Sequence, residues 1–223
     1  SFGACLMAEP ALVADCVRAM RDAVTLPVTV KHRIGLDAGQ DYGFVRDFVG
    51  IVGDAGCGTF IVHARNAVLK GLSPKENREV PPLRYEVVHR LKRDFPGATI
   101  VLNGGLGDWR TIESELAAVD GVMIGRTAYH DPYFLAHADA RVFGDDSPPR
   151  TRADVMAAML PYAEAQVARG TPLRSLARHM LGLYHGCSGG RRYRQVLSDA
   201  APLKGAGPAL LREALSEVEP ALA

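Results

Sequence analysis

Four short apolar runs mark the first part of the chain, and each ends in a polar or glycine signature. They are Pro27-Val-Thr-Val-Lys-His-Arg-Ile-Gly35, Thr59-Phe-Ile-Val-His-Ala-Arg65, Thr99-Ile-Val-Leu-Asn-Gly-Gly105 and Gly121-Val-Met-Ile-Gly-Arg126. The runs predict strands over 27–34, 59–64, 98–103 and 120–125. A 3.6-residue apolar period predicts a helix over 9–24, carried by Leu12, Val13, Cys16, Val17, Met20 and Val24. Similar patterning predicts helices over 41–55, 84–94 and 108–118. Between 66 and 82 runs a polar, proline-bearing loop, long for a connection of this type, and long loops in compact domains are usually functional.

Strands alternating with helices at this spacing suit parallel pairing through helical crossovers. Polar endings on every strand place the chemistry on the C-terminal rim, the functional face of a (β/α) barrel. Four parallel strands do not close such a cylinder, which takes eight. The expected fold is therefore α/β, the C-terminal half of a TIM (β/α)8 barrel over residues 1–145. The chain is expected to be the C-terminal portion of a longer one. The segment Gly144-Asp-Asp-Ser-Pro-Pro-Arg150 reads as a linker. Beyond it, 152–168, 172–186, 189–200 and 208–218 all read as helices, with Thr151 or Asp154 capping the first. Thr171 would cap the second, with Pro172 at its first helical position. A small all-helical bundle domain is expected over 151–223.

A hydrophobic content of 48% and a charged content of 23% over 223 residues are ordinary for a globular protein. No apolar run approaches the roughly 20 residues that cross a bilayer. No secretory signal is expected in Ser1-Phe-Gly-Ala-Cys-Leu-Met, which lacks a basic stretch and a long apolar core. Cys5, Cys16, Cys57 and Cys187 are scattered, without metal-ligand spacing, and read as reduced thiols of a cytoplasmic protein that binds no metal. Net charge is only +1. From Ala165 to Ser198, however, no acidic residue occurs, while Arg169, Arg174, Arg178, Arg191, Arg192 and Arg194 all do. That excess is either a footprint for polyanions or a solvated helical face.

Alternation along the first strand puts Lys31 and Arg33 on one face, where two cations either grip a ligand or join a structural ion-pair network. In the second, His63 and Arg65 share a face, and His63 is expected to face Lys31 from the neighbouring strand; its plainer role is a core histidine. Asn103-Gly104-Gly105 and Gly125-Arg126 follow the last two strands. Glycines there let backbone N–H groups approach an anion, so a phosphate-bearing ligand is expected, although glycine also simply ends strands. Lys75 and Arg78 lie on a proline-started turn that is otherwise a charged surface loop. Arg191 and Arg194 lie three apart on a helix begun by a glycine break, a geometry suited to phosphate-backbone contacts.

At these residues the chain resembles the tRNA-dihydrouridine synthases, in particular their A subgroup. The resemblance runs through Gly3-Ala-Cys-Leu-Met7, Val28–Gly35, Ile61–Arg65, Leu102–Gly105, Asp120–Tyr129 and Gly190–Arg194. Its most specific stretch is Gly71-Leu-Ser-Pro-Lys-Glu-Asn-Arg-Glu-Val-Pro-Pro-Leu83. The resemblance implies a flavin barrel followed by a helical tRNA-recruiting domain, monomeric when full length. It implies FMN-dependent, NADPH-driven reduction of the uridine C5=C6 bond at D-loop positions 20 and 20a. Lys31, His63, Asn103, Gly104, Gly105, Gly125 and Arg126 would hold FMN, and Arg33 the target uracil. Lys75, Arg78, Arg191 and Arg194 would orient tRNA. The family's proton-donating cysteine lies in an Asn-x-Gly-Cys-Pro loop, and no Gly-Cys-Pro occurs here; it is expected upstream of Ser1. The chain as given is then expected to be inactive. Rival readings are a non-catalytic RNA-binding protein on a half-barrel and a flavin-free phosphosugar enzyme.

Overall fold

The structure, a computed structural model, describes residues 3–37, 41–199 and 207–220. The chain divides into two compact units, Ser1–Gly125 and Arg126–Ala223. In the first, a four-stranded sheet in the order β1-β2-β3-β4 contains β1 (Val30–Arg33), β2 (Thr59–His63), β3 (Thr99–Asn103) and β4 (Gly121–Met123). All three pairings are parallel. The helices are α1 (Pro10–Ala23), α2 (Tyr42–Asp54), α3 (Tyr85–Asp94) and α4 (Trp109–Leu116). Asp41 and Asp108 start α2 and α4 by accepting from the backbone N–H of Phe44 and Thr111, the usual way a helix satisfies its first donors.

The strands are shorter than the apolar runs, for reasons visible in the register. Val30 pairs with Phe60, near the start of β2, so residues 27 and 28 have no ladder partner. β4 stops at Met123 because its partner there, Asn103, is followed by Gly104 at φ +112°, which turns β3 out of the ladder.

The two sheet faces differ sharply. Phe60, Val62, Ile100 and Leu102 are fully buried on one face, in a core with Phe48 and Val52 of α2, Val88 and Leu91 of α3 and Ile112 of α4. Each such side chain stabilises by about 2 kcal/mol. On the other face Lys31 and Thr99 are exposed, and Arg33, Ile61, Val101, Asn103 and Met123 are partly so.

All elements of the second unit among its described residues are helical. They are α5 (Arg126–His130), a 3-10 turn (Pro132–His137), α6 (Ala138–Phe143), α7 (Arg152–Ala168), α8 (Leu173–Ala177), α9 (Gly190–Ser198) and α10 (Ala209–Ser216). Thr151 caps α7 in a reciprocal box with Asp154. Met156, Leu173, Tyr193, Leu211 and Leu215 lie in a shared core. The segment 126–143 falls with this unit, ahead of the 144–150 stretch. Tyr133 packs on the helical core, Arg152 stacks 3.7 Å over its ring, and Gly182 lies so close to the His130 carbonyl that a Cβ would collide with it.

The helix expected over 172–186 is a single α-helical segment ending at Ala177, and Pro172 precedes it as the cap. Beyond it His179, Met180, Leu183 and His185 each donate to a carbonyl three residues back, a chain of tight turns. The expected end of the next helix, residue 200, lies outside the described residues.

Candidate functional site

Register brings three of the singled-out side chains side by side. Arg33 pairs with His63, His63 with Asn103, and Asn103 with Met123, all at strand C-terminal ends. His63 therefore faces Arg33, not Lys31; Lys31 pairs with Ile61, two residues lower on the same open face. The slip follows from β2 starting opposite residue 29, a register that the apolar runs alone leave undetermined. Partial burial, and then the charge of Arg33, hold the Lys31 ammonium below the ordinary lysine range. Burial also lowers Arg33, and Arg65 and Arg78 lower it further. Three guanidinium groups thus crowd one corner of the rim, and a field of that sign favours anions.

The neighbouring His32 is of another kind. It points into the covered face between Phe48 and Phe60, with ring centroids 5.1 and 5.9 Å away. Burial pushes it down to about 4. The neutral ring donates its Nδ1–H to the Arg33 carbonyl at 2.6 Å.

Asn103 donates from Nδ2 to the Met123 carbonyl at 2.7 Å, and the Tyr85 hydroxyl donates to the Gly104 carbonyl at 2.7 Å. Gly104 and Gly105 take φ of +112° and +69°. A Cβ on Gly104 would lie 2.6 Å from His63 Cδ2, and one on Gly105 would run into Leu83. Glycine is thus required here by packing as well as by backbone conformation. The glycine turn closes β3 beside the cationic corner, and backbone at such a turn together with charge of that sign fits an anionic ligand. Gly125 is exposed, with open space where a Cβ would stand. Arg126, also exposed, is the first residue of α5 and belongs to the second unit.

The 66–82 loop is fastened by polar bonds. Arg33 donates through Nη1 to the carbonyls of Asn66 at 3.2 Å and Asn77 at 2.8 Å. Arg65 donates to those of Glu79 and Pro81. Ser73 and Glu76 cap each other, each backbone N–H bonded to the other side chain. The 3-10 turn Glu76–Arg78 follows, with Lys75 at its start, and both Lys75 and Arg78 are exposed. Sequence reading passed over Asn77. The Ser73-x-x-Glu76 spacing signals the turn that presents it, but nothing in the spacing identifies its partners.

In the second unit Arg191 and Arg194 line a groove of about 370 Å³ with Gln195 and Ser198. Arg192 is tied instead to Gln195 and, at 3.5 Å, to Glu217. A cavity of about 590 Å³ lies at the opposite, N-terminal end of the strands, among Arg21, Val28, Gly56 and Thr59. None of the singled-out residues lines it. Among the described residues no group of His, Cys, Asp and Glu is arranged to hold a metal, and no helix is long and apolar enough to cross a membrane.

The sheet is parallel, and its polar side chains and glycine turn gather at the C-terminal rim, the edge where α/β folds place their sites. The sequence pattern of the family described as dihydrouridine synthase (Dus) matches residues 1–219, and the chain belongs to that family. It is 56% identical over 197 residues to a protein of Pseudomonas putida named tRNA-dihydrouridine(20/20a) synthase, covering 88% of this chain and 59% of that protein. Proteins of the same name from Xanthomonas campestris pv. campestris and Vibrio parahaemolyticus are 54% and 50% identical, covering 96% and 97% of this chain and 63% and 67% of theirs. The chain spans about three fifths of the length of the first of these relatives.

Proposed function

We propose that this chain supplies the flavin-phosphate side and the RNA-gripping elements of an enzyme that reduces a D-loop uridine of tRNA, at position 20 or 20a, to dihydrouridine. What supports this reading most is the row Arg33, His63 and Asn103 at the strand C-terminal ends, closing on the Gly104–Gly105 turn. The four-stranded sheet is then half of a (β/α)8 barrel, its open face turned to the lumen. The second unit is the tRNA-recruiting part.

FMN, when bound, would supply hydride chemistry at uracil C6, with NADPH as the reductant. Lys31 and His63 would contact the flavin, and Asn103, Gly104, Gly105, Gly125 and Arg126 would hold its phosphate end. Arg33, with Nη1 fixed on the loop, turns its remaining N–H groups to the uracil carbonyls and stabilises the negative charge that develops there. Lys31, lowered by its surroundings, places a cation beside the site where negative charge changes hands. The proton for uracil C5 comes from a cysteine that is not among these residues. Cys5 belongs to another motif and is not assigned that role. Lys75 and Arg78 from the loop, with Arg191 and Arg194 from α9, orient the tRNA.

The test is the full-length gene product with Lys31→Ala. Uridine reduction is expected to fall at least about a hundredfold, with the tRNA complex intact by filter binding. Equal loss of tRNA binding overturns this division of labour. Purified protein with no bound-flavin absorbance that still binds tRNA in a salt-dependent way would point instead to a non-catalytic RNA-binding protein.

A further inference from the structure

The 66–82 loop has little apolar substance to hold its shape. Between Gly71 and Val80 only Leu72 and Asn77 are even partly buried. Ordering a backbone costs about 1–2 kcal/mol per residue, and here polar bonds must offset that cost. Mutual repulsion among Arg33, Arg65 and Arg78 adds to it, since two of these charges stand on the strand ends and one on the loop.

Asn77 makes a large share of those bonds. Its Oδ1 accepts from the Val68 N–H at 2.8 Å, and its Nδ2 donates to the Val68 carbonyl at 2.8 Å and the Leu72 carbonyl at 3.4 Å. One primary amide thus pairs with both backbone groups of Val68, as a neighbouring strand would. Its own carbonyl receives the Arg33 guanidinium at 2.8 Å. The start of the loop is anchored separately: Asp37 takes the Leu69 N–H on Oδ1 at 2.8 Å, and its own N–H donates to the Ala67 carbonyl. Asn77 therefore fastens the 75–78 turn to a stretch that is already fixed. It stands between Lys75 and Arg78 in sequence.

We propose that Asn77 is a positioning residue: its amide clasp holds the 75–78 turn so that Lys75 and Arg78 meet an RNA backbone already in place. This rests on the reading of Lys75 and Arg78 as RNA-orienting residues. The binding gain is one of preorganisation, because cations fixed beforehand lose less freedom when a polyanion arrives. No other side chain replaces the clasp. Aspartate keeps the acceptor for Val68 N–H and loses both donations, and alanine loses all three.

The test compares Asn77→Ala, Lys75→Ala with Arg78→Ala, and the triple variant, each in the full-length protein. Without RNA, trypsin is expected to cut at Lys75 and Arg78 in Asn77→Ala about tenfold faster than in the parent, as the turn opens more often. The KM for tRNA is expected to rise about tenfold while kcat stays within about threefold. A residue acting through Lys75 and Arg78 adds little once they are gone, so the triple variant should match the Lys75/Arg78 double variant. Unchanged trypsin cleavage, an unchanged KM, or full additivity in the triple variant overturns the proposal. If the double variant itself leaves KM unchanged while Asn77→Ala still opens the turn, the clasp is real. The RNA-orienting reading then fails, and this proposal fails with it.

Discussion

The two faces of the central sheet are made by alternate residues of the same four strands, yet they obey different rules. On the covered face Phe60, Val62, Ile100 and Leu102 are sealed beneath helices, and even its one histidine, His32, is held neutral among phenyl rings. On the open face Lys31, Arg33, His63 and Asn103 bring charge and hydrogen-bonding groups to the strand ends. One step along a strand separates an apolar side chain sealed in the core from a polar one on the open face. Substitutions should sort accordingly.

The largest effect is expected on the covered face. Phe60→Ala empties a fully buried site and should cost about 3–5 kcal/mol in denaturant unfolding. Lys31→Ala, with its backbone neighbour the buried His32, should do the reverse, costing activity heavily while moving stability by no more than about 0.5 kcal/mol. A comparable loss of stability would erase the distinction between the faces.

His32 gives the comparison a pH axis. The unfolded chain takes up its proton near the ordinary histidine value of 6.5, the folded chain only near 4. Its influence is therefore absent above about pH 6.5, and stability falls as pH drops from there toward 4, by about 3 kcal/mol in all. Urea unfolding of the parent and of His32→Phe across that window reads the difference, and equal slopes would contradict a buried neutral ring.

Gly104→Ala tests where the faces meet, since its Cβ would press on His63 from a backbone of positive φ. A loss of about 1–3 kcal/mol is expected, with weaker flavin retention. The smallest effect is assigned to α9. Arg191→Ala with Arg194→Ala should reduce the salt dependence of tRNA binding by about two counterions and weaken it about tenfold, leaving bound flavin untouched.

Much of the covered face was legible in sequence because burial writes itself as apolar runs. Four strands, their parallel order and the helices between them follow from Phe60–Val62, Ile100–Leu102 and the α2 valines. The open face was legible by residue type but not by pairing. That His63 stands opposite Arg33 depends on register, which runs of similar length leave free by one or two residues. The tight turns after Ala177 read as a helix because turns spaced by three share nearly the same apolar period. Asn77 escaped because its partners are backbone groups of Val68 and Leu72, and backbone groups carry no sequence signature.

Tyr85 carries a consequence for anyone exchanging parts between relatives. It opens α3 immediately after the long loop, and its hydroxyl holds the Gly104 carbonyl, with Leu83 filling the space left by the missing Cβ of Gly105. Loop exit and glycine turn are therefore one mechanical piece. A chimera that imports a foreign loop ending short of residue 85 separates these two contacts, whereas a graft from Asn66 through Tyr85 carries the hydroxyl and the leucine together.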